Sequence, residues 1–153
     1  MFTLVLWGHS MMRWIVLALG IVALYRAWRG RAGVSPWMPG DMWTSLGFVA
    51  ALDAQLVVGI VLWLYSPITI LGIHELDIGF ADRVLRFWTF EHPVVMLVGI
   101  LLANVGLLRI WLAADARRRY RIALVYFGIA LALVLAGIPW TFLPYGRPLV
   151  WLP

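Results

Sequence analysis

Few side chains in this sequence can ligate a metal or move a proton, and two of them stand apart. His9 lies a few residues into an apolar run that begins at Phe2. His92 lies a few residues into another, FWTFEHPVVMLVGILLANVGLLRIW, where it forms a Glu91-His92 pair. Ionisable groups in such runs are expensive to place in hydrocarbon and mark functional sites by default. If both runs cross the bilayer in the same direction, the two imidazoles reach a similar depth. Two neutral imidazoles facing each other from separate helices supply the axial nitrogens of a six-coordinate b-type haem, with the bundle core holding the porphyrin. The sequence thus predicts one haem b, its iron held by His9 and His92. A second bis-histidine haem is excluded, because the third histidine, His74, sits beside Glu75 in a polar loop. The absence of cysteine excludes disulfides, thiolate ligands, cysteine-held iron–sulfur clusters and c-type haem attachment. No serine lies near a histidine–carboxylate pair, and no glycine-rich phosphate loop is present.

Other polar residues gather around the two histidines. Arg13 is one turn below His9, and at that depth an unpaired arginine costs at least ~2.5 kcal/mol on insertion scales. Asp53, in the middle of the second apolar run, and Glu91 are its expected partners, so Arg13, Asp53 and Glu91 are read as a buried polar network. It either fixes helix register or, with Gln55, forms a proton path or a quinone-headgroup site. Arg83 and Arg86, just before the third run, are candidates for binding haem propionates through charge-assisted hydrogen bonds, with lipid headgroups as the alternative. Asn104 reads as interhelical glue. At 100° per residue, Gly20 falls on the face of His9, and Gly99, Ala103 and Gly106 fall near the face of His92. Small residues there leave room for a macrocycle or for a close helix, and both uses stay open.

The elements that must position these residues are helices in a membrane. The chain is 64% hydrophobic and 12% charged over 153 residues, which is too apolar for a soluble domain of this size. Four runs approach the ~20 residues a spanning helix needs: 2–28, 42–65, 87–111 and 120–138. Trp28, Trp43, Tyr65, Trp88, Trp111, Tyr120 and Trp140 mark their ends, as an interfacial aromatic belt does. The expected fold is an all-α membrane protein, a single domain with four transmembrane helices in a bundle. An amphipathic surface helix over residues 76–88 is expected before helix three, because Leu76, Phe80, Val84, Phe87 and Trp88 recur at helical spacing. The Pro-broken aromatic tail, 139–153, is expected along the outer interface. Gly128, Ala132 and Ala136 form a small-residue seam on helix four, for packing within the bundle or between protomers. The N-terminus lacks a basic region and a small-residue cleavage site and reads as a retained helix.

Net charge is +5, but the basic residues concentrate in two loops. They are a topology signal, and no nucleic-acid partner is expected. Arg26, Arg29 and Arg31 in one loop, and Arg117, Arg118, Arg119 and Arg121 in another, put those loops in the cytoplasm by the positive-inside rule. Both termini of a bacterial inner-membrane protein would then lie outside, with the histidines near the outer leaflet.

Several motifs together carry a family resemblance: His9-Ser10 followed by Arg13-Trp14; Asp53-x-Gln55-Leu56-x-x-Gly59; Val84-Leu85-Arg86-Phe87-Trp88-x-x-Glu91-His92; and the closing Ile138-Pro139-Trp140. Over almost its whole length the chain resembles small bacterial membrane proteins labelled cytochrome b-like. The resemblance implies a four-helix protein with a single haem b and with His9 and His92 as ligands. Pro93, directly after His92, departs from the group's pattern. A more distant similarity is to four-helix membrane cytochromes that exchange electrons with quinones, including superoxide oxidase. Those carry more histidines, so their two-haem wiring does not transfer. The expected activity is one-electron transfer, with a quinol or a periplasmic electron-transfer protein as partner. Two other readings remain: a non-catalytic subunit of a larger respiratory or photosynthetic complex, or of a homodimer, and a subunit whose histidines bind chlorin pigments singly.

Overall fold

The computed structural model, described over residues 1–148, contains four helices long and apolar enough to cross a bilayer. They are α1 (Phe2–Ala32), α2 (Pro39–Tyr65), a third span running Arg83–Leu112, and α7 (Ala116–Gly137). No strand occurs among the described residues. The protein is an all-α, multi-pass membrane bundle. Large apolar side chains such as Ile15, Ile21, Val57, Val61, Leu101, Leu108 and Ile129 point outward along all four spans. Only a bilayer solvates a surface of that kind around a helical bundle.

Helix ends follow local chemistry. Pro39 and Pro67 occupy first-turn positions, where the missing N–H costs nothing. Asp115 caps α7 by accepting from the Arg118 N–H at 2.8 Å. Ser66 and Ile138 are extended because each precedes a proline, and they end α2 and α7. Successive spans run antiparallel and close a ring: α1 packs on α2 and α7, and the third span packs on both as well. The core lies deep in this ring around Val16, Phe48, Leu52, Ile100, Ala103 and Phe127, with Phe48 and Phe127 edge to face at 5.4 Å.

The glycines on the histidine faces serve this packing. A Cβ on Gly20 would stand 2.8 Å from the Phe48 ring. One on Gly99 would stand 3.4 Å from the Ala130 carbonyl, and one on Gly106 would collide with Tyr126. They bring helices together and leave no room for a macrocycle. Ala132 and Ala136, in contrast, face outward from α7.

At the arginine-rich end, a polar lock joins three helices. Asp41 is buried, receives the Arg26 guanidinium at 2.8 Å and the Tyr120 hydroxyl at 2.9 Å, and caps its own helix through the Met38 N–H. Tyr120 is therefore core rather than belt: it is 2% exposed, and the Gly30 backbone lies against its ring.

The segment before the third span is helical but divided. It comprises α3 (Pro67–His74), α4 (Leu76–Ala81) and α5 (Arg83–Arg86). The expected single surface helix over 76–88 breaks at Asp82. Its backbone is extended, and its carboxylate accepts from the Val84 and Leu85 N–H groups at 2.9 and 2.8 Å. Residues from Arg83 onward join the third span through a π-helical turn, Phe87–Glu91, into α6 (His92–Leu112). Gly72, Gly79 and Thr89 meet at a crossing too tight for any Cβ on either glycine.

Candidate functional site

Opposite the arginine-rich end, the four spans part around a cavity of about 380 Å³. Its walls come from the first half of α1, the second half of α2, the start of α6 and the end of α7. Volume and apolar lining are those of a small-molecule or cofactor site. Both His9 and His92 line it. α1 and α6 are not neighbours in the ring, so the two imidazoles address the cavity from different corners.

His92 owes its position to the π-turn. Its N–H donates to the Phe87 carbonyl, five residues back. The next residue, Pro93, has no N–H, so the Thr89 carbonyl, four residues before it, loses its regular helical donor. The Trp63 indole N–H from α2 donates to that carbonyl at 2.9 Å. Proline and π-turn together leave His92 inside the helix rather than at a frayed cap. Its Nδ1 lies 2.8 Å from the Gly137 carbonyl at the end of α7. A carbonyl only accepts, so Nδ1 carries the proton and Nε2 keeps its lone pair. A backbone carbonyl on one imidazole nitrogen is the arrangement that orients ligating histidines.

His9 sits in a different cradle. The space where a Gly59 Cβ would stand is 3.2 Å from His9 Cε1, so only glycine leaves this ring undisturbed. The Gln55 amide N–H donates to the His9 carbonyl at 2.9 Å. His9 Nδ1 and Gln55 Oε1 are both buried without a hydrogen-bond partner, and unsatisfied groups of this kind call for a ligand or a bridging water.

The remaining predicted residues divide. Arg13 lines the cavity; Asp53 and Glu91 do not. Asp53 accepts from the Asn104 amide at 2.8 Å, which links α2 to α6, and Glu91 pairs with Arg86 at 2.7 Å on the exposed side. The three are thus not assembled into one network around Arg13. Arg83 and Arg86 lie outside the cavity lining: Arg83 is exposed, and Arg86 is engaged by Glu91 and the Phe80 carbonyl. His74 is exposed at the end of α3. Among the described residues no cluster of three or more His, Asp or Glu could hold a metal ion.

The cation that does reach the cavity from the outer segments is Arg147. The tail from Pro139 folds back over the site: Tyr145 stacks on Phe87 at 3.7 Å, and the Arg147 guanidinium lies 4.1 Å from the Trp88 ring centre. Burial lowers the Arg147 pKa below the ordinary arginine value. The part of the tail expected at the outer interface beyond Pro148 lies outside the described residues. Trp63, Gly59, Gly137 and Arg147 were not identified as site residues from sequence. Of these, Gly59 stood in a motif that carries the family resemblance, and Arg147 stood out as the one charged side chain in an aromatic, proline-broken segment.

No protein-family model, curated protein or solved structure matches this chain.

Proposed function

We propose that this protein is a membrane-embedded b-type cytochrome that binds one haem between His9 and His92 and passes single electrons, with a membrane quinol or a periplasmic electron-transfer protein as partner. The observation that carries the reading is the pair of imidazoles lining one apolar cavity at one end of the bundle. Each residue has a distinct task. The Gly137 carbonyl fixes the His92 tautomer, which leaves Nε2 as the nitrogen that would ligate a metal. Gly59 gives the His9 ring clearance. The apolar walls contributed by α2, α6 and α7 suit a flat hydrophobic ligand. Bound haem would supply a one-electron couple at iron, tuned by its two imidazoles and its low-polarity surroundings. With the arginine-rich loops in the cytoplasm, the site lies near the outer leaflet of a bacterial inner membrane. The resemblance to the cytochrome b-like group rests on the same residues and agrees with this assignment.

An absorption spectrum of purified protein is the direct test. A reducible haem b spectrum that disappears in both His9→Ala and His92→Ala is expected. A colourless, correctly inserted protein would instead favour a non-catalytic subunit of a larger complex, and a long-wavelength chlorin band would favour a pigment-binding subunit.

A further inference from the structure

We propose that Arg147 holds a carboxylate at the rim of the cavity's otherwise apolar ligand, which under the haem reading, on which this inference rests, is a haem propionate. Arg147 lines both the main cavity and the open groove beside it, formed by Phe2, Leu6, Ser66, Pro67 and Ile68. No Asp or Glu lines either one among the described residues. The ion pairs among the described residues, Arg26–Asp41 and Arg86–Glu91, lie elsewhere. A partly buried guanidinium beside an apolar chamber is stabilised by an anion brought next to it, and an acid on the ligand would supply one.

A carboxylate is the acid that a haem would present to this guanidinium. The guanidinium carbon lies 4.1 Å from the Trp88 ring centre, a cation–π contact that uses none of its N–H groups as conventional hydrogen-bond donors. Those groups form the planar fork that matches a carboxylate with two hydrogen bonds. The cation is also fixed relative to His92. The Arg147 N–H donates to the Pro139 carbonyl, and the Gly146 N–H donates to the Leu143 carbonyl at 2.8 Å. Tyr145 stacks on Phe87, the residue whose carbonyl takes the His92 N–H. A ligand with a metal centre reached by His92 and an acid on its edge reached by Arg147 satisfies both at once.

The test compares haem b with its dimethyl ester, in which both propionates are neutral, binding to the full-length protein in detergent. Wild type should bind the ester on the order of tenfold or more weakly than haem b, the usual weight of a charge-assisted hydrogen bond. Arg147→Ala should bind both forms equally weakly, and Arg147→Lys should recover part of the preference. Every haem-loaded variant should keep the bis-imidazole spectrum, because the iron ligands are untouched. Equal affinity of wild type for acid and ester, or an undiminished preference in Arg147→Ala, overturns the proposal and leaves ligation by His9 and His92 standing. Wild-type protein that takes up neither form overturns the proposal together with the haem reading.

Discussion

At the scale of single residues, the site depends on one missing side chain as much as on the two imidazoles. A methyl at Gly59 would stand 3.2 Å from His9 Cε1, inside ordinary contact distance, whereas one at Gly47 on the same helix would meet only Leu19 at 4.0 Å. Gly59→Val should therefore tilt or displace His9 and lower haem content on the order of tenfold, the usual cost of disturbing a residue that orients a ligand. Gly47→Ala should leave it unchanged; pyridine haemochrome assay of the two purified variants separates these outcomes. The histidines could be singled out from sequence because ionisable residues inside apolar runs announce themselves. Their supports could not. Gly137 contributes a carbonyl, which every residue has, and its reach to His92 exists only once α7 lies beside α6. Arg83 and Arg86 were the nearest cations along the chain, but Glu91 holds Arg86 outward. Arg147, which lines the cavity with His92, is 55 residues past it in the numbering.

At the scale of elements, the third span shows how a proline inside a membrane helix is accommodated. Removing the Trp63 indole N–H should leave the Thr89 carbonyl buried without a donor, so Trp63→Phe should cost about 1–3 kcal/mol. Pro93→Ala restores an N–H four residues after Thr89, and in that background Trp63→Phe should cost markedly less. A double-mutant cycle on thermal stability in detergent measures the difference, and additive effects would refute the compensation. Span existence was readable because an apolar run of about 20 residues has one stable form in lipid. The divided segment before the third span was not. The periodicity over 76–88 matches one helix, but the Asp82 carboxylate competes for the Val84 and Leu85 N–H groups and starts a new one. Asp82 is a capping residue type in the sequence, so that signal was present and was outweighed by the apolar pattern.

At the scale of the whole molecule, stability and site occupy opposite ends. The Asp41 carboxylate ties α1, α2 and α7 together at the arginine-rich end, and Asp41→Ala should destabilise the bundle by about 2–3 kcal/mol, because the buried Tyr120 hydroxyl loses a charged partner while the half-exposed Arg26 returns to solvent. Asp53 has a single amide partner. Asp53→Ala should cost only about 0.6–1.7 kcal/mol, the span measured for polar contacts between membrane helices. Thermal melts in one detergent rank the two, and a larger effect at Asp53 would show that its carboxylate does more than pair with Asn104. Asp41 was passed over in sequence because a carboxylate near a helix start is common, and only the fold brings Arg26 and Tyr120 onto it.

The contact between His92 and the Gly137 carbonyl joins parts of the chain that are made far apart in time. A ribosome delivers His9 to the membrane first, His92 with the third span, and Gly137 with the fourth, followed by the strap that carries Arg147. Half-made chains already hold both imidazoles, but lack the group that sets one of them and the segment that roofs the chamber. Under the proposed haem reading, a cofactor that needs the oriented His92 would bind only once the last helix is in place.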